Sequence, residues 1–366
     1  MDIDFVYCPV IKGKINDIKA MAFVAPALAE NVKPLFELPP FKPTDNREEV
    51  LSRFAMRLAK LYSGRPCYVD FPLLKPGANT SGGELALDVG LGQLNAMHIL
   101  FEPVYGFDRD EALWDVVIRQ AIRSGGMLLR LDPDDLEFPE ETVERILDLR
   151  RFGLDLRMLD VMIDRRYVAS RVAAISGVGE IAEFIENLAT ATTVRNVIVA
   201  ASSAPKTVAE IDKDGYGEVS RNELTLWATL ATERLPIRPV FGDYGVIHPD
   251  FSDLTMSTHI NGKIRYTQGA TFHIHRGHSL RLGDKYDQYR RLSAAVINSR
   301  HYQGNTFSYG DRYIFDCATG HAGTGNPGTW VLVDQNHHIS YAVDQQQRLN
   351  VLVSSGMPLE EVLDRA

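Results

Sequence analysis

FVYCPVI at residues 5–11 and VKPLFEL at residues 32–38 are two short apolar runs joined by a longer amphipathic segment. Six further runs of the same kind follow along the chain: CYVDF (67–71), EPVYGF (102–107), MLLRL (127–131), MLDVMI (158–163), NVIVAA (196–201) and PVFGDY (239–244). Short runs that are rich in Val, Ile, Leu, Phe and Tyr are typical of parallel strands buried on both faces. The sequence therefore predicts eight such strands, all before residue 250.

Amphipathic helical patterns fill the segments between the apolar runs. In REEVLSRFAMRLAKLYS (47–63) the apolar side chains recur at i, i+3, i+4 and i+7, which is the spacing of one helix face. Similar patterns follow at 110–125, 139–153, 168–191 and 220–235. Strands that alternate with helices form a parallel sheet with right-handed crossovers, either open or closed. Eight strands favour the closed form, so we predict an α/β fold in which residues 1–250 form a (β/α)8 TIM-type barrel.

The pattern changes after the eighth run. GKIRYTQGATFHIHRG (262–277) predicts a β-hairpin, and YDQYRRLSAAVINSR (286–300) predicts a helix that could be the last helix of the barrel. Residues 305–330 are rich in glycine and predict irregular structure, whereas residues 330–347 predict a strand that runs into a helix. Because no low-complexity linker separates the two parts, we expect residues 251–366 to form an appended α+β region that packs on the barrel.

The composition argues against several classes of protein. The 366 residues include 39 Lys and Arg and 48 Asp and Glu, and the net charge of −9 disfavours an extensive surface for duplex nucleic acid. No apolar run is long enough to span a membrane and no signal peptide is indicated, so we expect a cytoplasmic protein. Three widely spaced cysteines, Cys8, Cys67 and Cys317, indicate buried free thiols rather than a disulfide framework or a zinc site. No GxGxxG follows a strand, and GxxxxGKS/T, HExxH and GxSxG are absent from the sequence.

Polar residues follow the predicted strands at the end where the catalytic residues of such barrels lie. Four strands share a proline near their start, and this register places Lys12, Glu37, Gly106 and Gly242 at one height near the top of the barrel. From this rim we select candidate catalytic residues: Lys12, Glu37, Asp70, Asp164 and Asp243. We also select candidate ligand-binding residues: Lys14, Arg130 and Tyr244.

The rim residues offer two kinds of chemistry. Paired carboxylates can exchange protons or hold Mg²⁺, which prefers oxygen ligands, so Mg²⁺ is a candidate cofactor. The cations can clamp a phosphate or a carboxylate. The alternative is that these charges pair with one another in salt bridges and only stabilise the fold.

DKDGYGEVSRNE (212–223) matches part of the calcium-binding loop of an EF-hand. Position 5 of that loop is Tyr216, a poor calcium ligand, and no helix enters the loop from its N-terminal side. The segment can instead join the seventh strand to the next helix, with Ser220 as the N-cap and Glu223 as its capping-box partner. We therefore do not expect a calcium site.

A compact basic and aromatic set lies in the predicted hairpin: Lys263, Arg265, Tyr266, His273, His275 and Arg276. His273 and His275 would point to the same side of a strand, where they could bind a metal together or contact an anion. A solvated strand face is the alternative. Further candidate ligand-binding residues come from this set and from the Asn-His-His segment beyond it: Arg265, Tyr266, Arg276 and His337.

YCPVIKGKINDIKAMAFVAPALAENVKPLFELPP (7–40) resembles the N-terminal signature of the beta protein family, whose members come from bacteria and phages. Later blocks of that family resemble SRNELTLWATL (220–230), FGDYGVIHPD (241–250), NGKIRYTQGATFHIHRG (261–277) and TWVLVDQNHHISYAV (329–343). Leu224 and Phe272 stand at or near positions where the family usually has tryptophan. The resemblance spans nearly the whole chain and implies no established activity. It implies an origin beside phage or mobile-element genes, and its blocks contain Lys12, Lys14, Glu37, Asp243, Tyr244, Arg265, Tyr266, Arg276 and His337.

The sequence leaves two functions open. The first is an enzyme, a metal-assisted hydrolase that acts on a phosphorylated or nucleotide-like small molecule at the barrel rim. The second is a non-catalytic module that binds a small anionic ligand or a protein partner through residues 263–276, in conflict between phage and host. In both cases we expect the site at the seam of the eighth, first and second strands, covered by residues 263–276.

Overall fold

The eight apolar runs form a closed parallel barrel in the computed structural model, which describes residues 5–74, 77–251 and 260–366. The barrel strands are β1 (Tyr7–Lys12), β2 (Leu35–Glu37), β3 (Cys67–Asp70), β4 (Phe101–Tyr105), β5 (Met127–Leu131), β6 (Leu159–Tyr167), β7 (Asn196–Ser202) and β9 (Val240–Asp243). Each strand pairs in parallel with its neighbours, and β9 closes the ring on β1. The predicted TIM-type barrel is therefore confirmed.

Helices cover the outside of the barrel and bury their apolar faces against the strands. They are α1 (Ile15–Ala22), α2 (Pro26–Ala29), α3 (Arg47–Tyr62), α4 (Ala86–Ala96), α5 (Trp114–Ser124), α6 (Pro139–Asp148), α7 (Arg171–Ser176), α8 (Val178–Ala191) and α9 (Asn222–Thr232). The C-cap of α5 is Gly125, whose φ of 77° is in the left-handed region that favours glycine. The pattern at 168–191, which predicted one helix, forms α7 and α8 with Gly177 between them.

The interior of the barrel is a packed core, and strand alternation explains how polar residues come to lie above it. Side chains of a strand point alternately inward and outward, so every second residue enters the barrel. Val10, Leu35, Tyr68, Leu128 and Met162 belong to this inner apolar cluster. The residue two positions after each is polar: Lys12, Glu37, Asp70, Arg130 and Asp164. The inward row of each strand therefore continues from the apolar core into a charged layer at the carboxyl ends.

A three-stranded antiparallel sheet packs on the loops that follow β7 and β9. Its strands are β8 (Tyr216–Ser220), β10 (Asn261–Gln268) and β11 (Thr271–Ser279), in the order β10-β11-β8. The hairpin was predicted, but β8 was not. Ser220 pairs with Thr271 in this sheet, so its predicted role as the N-cap of α9 is wrong. The backbone of β8 finds its partners on a strand about 50 residues later in the chain, which local turn chemistry does not reveal.

In the described part of the chain after the barrel, four further α-helices follow: α10 (Gln288–Ile297), α11 (Tyr309–Thr319), α12 (Pro327–Ser354) and α13 (Leu359–Asp364). Two predictions are wrong here, because the Gly-rich segment contains α11 and the strand predicted at the start of residues 330–347 is helical; the helix predicted to follow it is part of α12. Asn326 caps α12 in a capping box, and the helix is buried over most of its length. A helix buried on several sides loses the amphipathic pattern by which sequence analysis finds helices. This helix, and not the predicted one at 286–300, packs beside β1 and α1.

The described residues contain no helix that is both long and apolar enough to cross a membrane. The three cysteines are buried free thiols, as predicted.

Candidate functional site

Arg130 lies at the centre of the charged layer and binds three carboxylates. Its guanidinium donates to Glu37 Oε1 at 2.7 Å, to Asp70 Oδ2 at 2.7 Å and to Asp164 Oδ2 at 2.6 Å. It also donates to the Tyr244 hydroxyl at 2.6 Å, and that hydroxyl donates to Asp164 at 2.5 Å. All five side chains are buried. The structure thus brings together five of the residues predicted from the rim.

Other donors occupy the remaining carboxylate oxygens of this network. Lys12 donates to Glu37 Oε2 at 2.5 Å, Arg109 donates to Asp70 Oδ1 at 2.6 Å, and the backbone N–H of Arg166 donates to Asp164 Oδ1 at 2.9 Å. Burial alone would raise the pKa of Asp70, but the charges of Arg109 and Arg130 outweigh it and hold that pKa below its usual value. Every carboxylate oxygen already accepts a hydrogen bond, so Mg²⁺ would compete with the donors of this network for the same oxygens. The geometry favours the alternative in which these charges stabilise the barrel, and the catalytic role of Lys12, Glu37, Asp70 and Asp164 stays a prediction.

Asp243 lies apart from this network. It pairs with Pro9 in the register of β9 and β1, and Gly242 pairs with Cys8. The predicted equal height of Gly242 and Lys12 is therefore wrong, because the strands of a closed barrel are staggered. The carboxylate of Asp243 accepts from Tyr7 at 2.6 Å and lies 2.8 Å from His338 Nε2. Burial opposes ionisation of Asp243, but His338 holds the carboxyl pKa below its usual value.

Three of the predicted ligand-binding residues form internal contacts. The Tyr266 hydroxyl donates to Asp311 Oδ1 at 2.6 Å, and His337 Nδ1 lies 2.8 Å from Asp311 Oδ2. Arg276 donates to the carbonyl of Ala209 at 3.0 Å and so ties β11 to the loop before β8. These contacts connect parts of the fold, and whether the three side chains also bind a ligand stays a prediction.

A pocket of about 420 Å³ lies between the barrel mouth and the three-stranded sheet. The loops after β1, β7 and β9, the strand β10 and the first turns of α12 line it. Its titratable side chains are Lys12, Lys14, Asp17, Lys206, His248, Asp250, Lys263, Arg265 and Asp334. Five lysine and arginine side chains thus face three carboxyl groups. Phe251, Tyr289 and Trp330 add aromatic surface to the wall. Of the residues predicted to bind a ligand, Lys14 and Arg265 lie here.

The periodicity of strands and helices determines which side chains of β10 and α12 face this pocket. Lys263 and Arg265 are two positions apart on β10, so they share one face of the strand, whereas Ile264 belongs to the core beneath the opposite face. Trp330 and Asp334 are four positions apart on α12, one turn of helix, and both line the pocket. Sequence analysis missed this second pair because it assigned their segment to a strand.

Asp17 is another residue of the pocket that was not predicted from the sequence. It is buried in the first turn of α1, beside Ile18 and Met21. A carboxyl group on the apolar face of a predicted helix is the signal that could have identified it.

Three groups in the pocket titrate near neutral pH. Burial raises the pKa of Asp17 to about 7 and that of Asp334 to about 7. The positive charge of Arg265, followed by burial, lowers the pKa of Lys263 to about 7. Arg265 lies 3.7 Å from Asp334, and among the described residues Arg265 Nε and Asp334 Oδ1 have no hydrogen-bond partner. Perturbed pKa values in a concave pocket are typical of functional sites.

Three larger cavities lack these properties. One of about 810 Å³, between the loop after β7 and the end of the β10–β11 hairpin, shares Lys206 and Lys263 with this pocket, but the described residues of its wall include no carboxyl group and no Phe, Tyr or Trp. A second, of about 1080 Å³, lies at the amino ends of the barrel strands, between the segments 192–196 and 231–238. The third, of about 1090 Å³, lies between the loops that follow β2 and β3. Ligands of TIM-type barrels bind at the carboxyl ends of the strands, which argues against the second, and the third gathers fewer charged groups. The pocket between the barrel mouth and the sheet is therefore the candidate site, and we call it the mouth pocket.

Comparisons with known proteins agree with the resemblance seen in the sequence. Among solved structures, triosephosphate isomerase from Bartonella henselae is 11% identical over 65% of this chain and 91% of its own, with a TM-score of 0.33. Alanine racemase from Clostridium difficile, solved in complex with cycloserine, is 13% identical over 74% of this chain and 61% of its own, with a TM-score of 0.34. Scores this low carry no argument about function. No curated protein matches the chain. The family model described as beta protein matches residues 7–344, and the chain therefore belongs to the beta protein family.

Proposed function

We propose that the mouth pocket binds a small phosphorylated ligand of about nucleotide size. The observation that carries this proposal is the charge of the lining, where five lysine and arginine side chains face three carboxyl groups. Asp17, Asp334 and Lys263 all have pKa values of about 7, so just below neutral pH the two carboxyl groups are mostly neutral while Lys263 is mostly charged, and the lining then favours an anion. The volume of about 420 Å³ lies within the range of about 300–1,000 Å³ that is typical of small-molecule pockets.

Two further features support a phosphorylated ligand. Helices α1 and α12 both begin at the pocket, with Lys14 in the N-cap position of α1 and Pro327 and Gly328 in the first turn of α12. The N-terminal end of a helix carries a partial positive charge that favours anions. The aromatic rings of Tyr289 and Trp330 are stacked on each other, 4.5 Å apart, at one wall. An apolar group attached to the phosphate, such as a base, would contact this wall.

The loss of Lys263 tests the proposal. We expect Lys263→Ala to weaken the binding of adenosine monophosphate at least about tenfold, since a hydrogen bond to a charged group contributes about 1.5–3 kcal/mol. The measurement is isothermal titration calorimetry at pH 6.5, where Lys263 is mostly protonated. Lys60→Ala, which removes an equal charge from the exposed end of α3, should leave the affinity within about twofold.

Uncharged adenosine and inorganic phosphate complete this experiment. Binding of phosphate alone would show that the anion site suffices, and failure of adenosine to bind would show that the charge is required. Equal affinity of the Lys263→Ala and Lys60→Ala proteins, or no saturable binding of any phosphorylated probe, would contradict the proposal.

A second candidate function is hydrolysis of a phosphorylated ligand in the same pocket. Two carboxyl groups whose pKa values are about 7 favour it, because a group that is half ionised at working pH can both accept and donate a proton. This candidate differs from the hydrolase predicted at the rim, where Arg130 and Lys12 engage the carboxylates. A role between phage and host is implied by the family resemblance alone and stays a prediction.

Turnover distinguishes the two candidates. If the pocket is catalytic, Asp334→Asn should reduce phosphate release from adenosine monophosphate about 10²- to 10⁴-fold while the affinity for the ligand is kept or increased. Asp250→Asn is the matched control, because Asp250 lines the same pocket but is exposed and paired with Lys206. Assays with and without Mg²⁺ separate metal-assisted from direct hydrolysis. Ligand binding without any phosphate release would exclude the catalytic candidate and retain the first.

A further inference from the structure

We propose that the face of the three-stranded sheet opposite the mouth pocket binds a transition-metal ion such as Zn²⁺ through Glu218, His273 and His301. Glu218 on β8 pairs directly with His273 on β11, and cross-strand partners present their side chains on the same face. His301, in the segment after α10, lies over this pair, with its ring centroid 3.7 Å from that of His273. Three side chains that suit a transition metal, two imidazoles and one carboxylate, therefore converge from three separate elements.

The distances suit one ion after a small adjustment. One ligand atom from each of the three residues lies within 4.8 Å of the others. Because bonds from Zn²⁺ to nitrogen are about 2.0–2.1 Å long, two ligands of one ion lie at most about 4.2 Å apart. The set must therefore contract, and His301 must turn out of its stack on His273, since an ion lies near the plane of each ring that binds it. Glu218 Oε1 lies 3.7 Å from Nδ1 of His273, so the carboxylate must reach an ion at Nε2 with its other oxygen. Glu218 is exposed and His301 is half-buried, so both can make this movement.

Hydrogen bonds around His273 leave one of its nitrogens open. The Tyr216 hydroxyl donates to Glu218 Oε1 at 2.6 Å and lies 2.6 Å from His273 Nδ1. Since the hydroxyl proton goes to Glu218, Nδ1 must carry the proton of the imidazole and donate it to Tyr216. Nε2 then has a free lone pair, and this atom is buried and without a hydrogen-bond partner among the described residues.

This arrangement is the one that a metal-binding histidine requires. In metal sites the ring nitrogen that does not bind the ion is usually fixed by a hydrogen bond, which sets the tautomer and the orientation of the ring. His273, only 4% exposed, is the rigid ligand, and Tyr216 is its positioning residue. A buried acceptor without a partner destabilises the fold, and an ion bound at Nε2 would remove that cost.

The ligand set also indicates the class of ion. Two imidazoles with one carboxylate suit Zn²⁺, Co²⁺ or Ni²⁺, whereas Ca²⁺ and Mg²⁺ prefer oxygen ligands throughout. Three protein ligands leave at least one position for water or an exogenous group, as in catalytic rather than structural zinc sites. The site is distinct from the mouth pocket, because Glu218, His273 and His301 do not line that pocket.

Calorimetric titration of the metal-free chain, without a polyhistidine tag, with Zn²⁺ tests this proposal. We expect one ion per chain, and a weakening of at least about 100-fold in His301→Ala and in Glu218→Gln, because the loss of even an outer partner costs about 10- to 100-fold. Both substitutions lie on accessible side chains, so the variants should fold. His321→Ala, an exposed histidine outside the set, should bind as the parent does.

Two further measurements do not rely on titration calorimetry. Co²⁺ should give visible absorption bands typical of a four- or five-coordinate ion, lost in His301→Ala. Zn²⁺ should raise the Tm of the parent chain and not that of His301→Ala. No saturable one-to-one binding, or equal Zn²⁺ affinities in the His301→Ala, Glu218→Gln and His321→Ala proteins, would overturn the proposal.

Discussion

Replacement of Arg130 by alanine is expected to lower the free energy of unfolding by about 3–5 kcal/mol, the usual cost of removing one partner from a buried ionic network. The guanidinium binds Glu37, Asp70 and Asp164, and the substitution leaves these carboxylates buried without their shared cation. Because a domain is stable by only about 5–15 kcal/mol, the variant should lose much of its stability. The measurement is urea denaturation followed by tryptophan fluorescence at pH 7.

The pKa values of the carboxyl groups determine how the stability loss of Arg130→Ala changes with pH. In the parent chain the pKa values of Asp70 and Asp164 are lowered, so their contribution to stability is present above the unfolded pKa of about 3.9 and is lost as the pH falls through the folded values. In the variant Asp164 loses the cation that lowers its pKa most, whereas Asp70 keeps Arg109, so burial then favours the protonated form chiefly at Asp164. The stability deficit should therefore shrink as the pH is lowered from 7 towards 4.

Arg157→Ala is the control, because Arg157 forms an exposed pair with Asp155 and its loss should leave the free energy of unfolding nearly unchanged. A deficit for Arg130→Ala that is no larger than that of Arg157→Ala, or that stays constant between pH 7 and pH 4.5, would contradict the network account.

The Lys12–Glu37 pair is a part of the charged layer that could be predicted from the sequence. Their pairing on neighbouring strands followed from a shared proline near the start of each strand. The structure confirms it, because Lys12 pairs with Glu37 in the register of β1 and β2. The same argument failed for Gly242, because the stagger between strands accumulates around a closed barrel and cannot be read from any one strand. The ion-pair partners of each charged side chain at the rim depend on this accumulated stagger. The central position of Arg130 among the carboxylates therefore could not be predicted.

The residues of the mouth pocket were harder to predict than the barrel. The apolar runs of the strands are local signals, but the pocket depends on α12 and on the packing of the sheet against the barrel. Trp330 and Asp334 lie one turn apart on α12, but residues 330–347 were predicted to begin as a strand, so the position of this pair on a helix at the barrel mouth was not foreseen. Lys263 and Arg265 could be placed on one face of β10, because strand alternation alone determines it.

Asp311 is the second position where a single substitution should have a large effect. Its carboxylate accepts from Tyr266 at 2.6 Å and from Ser308 at 2.5 Å, and it lies 2.8 Å from His337 Nδ1. Asp311→Ala leaves the buried Tyr266 and His337 and the partly buried Ser308 without this acceptor, at about 1–3 kcal/mol for each buried group, so we expect a total loss of about 3–5 kcal/mol. The measurement is again urea denaturation at pH 7.

The same substitution should also weaken the mouth pocket, although Asp311 does not line it. Tyr266 follows Arg265 on β10, and His337 lies one turn after Asp334 on α12, so Asp311 fixes the spacing of the two elements that carry these pocket residues. We expect Asp311→Ala to reduce the affinity for adenosine monophosphate together with stability, while Asp311→Asn, which keeps one oxygen acceptor, loses less of both. Asp316→Ala on the same helix removes only a pair with Arg312 on the surface and should change neither by more than about 1 kcal/mol. If the Asp311→Ala protein were as stable as the Asp316→Ala protein, the buried contacts of Tyr266 and His337 would not be what holds the appended region in place.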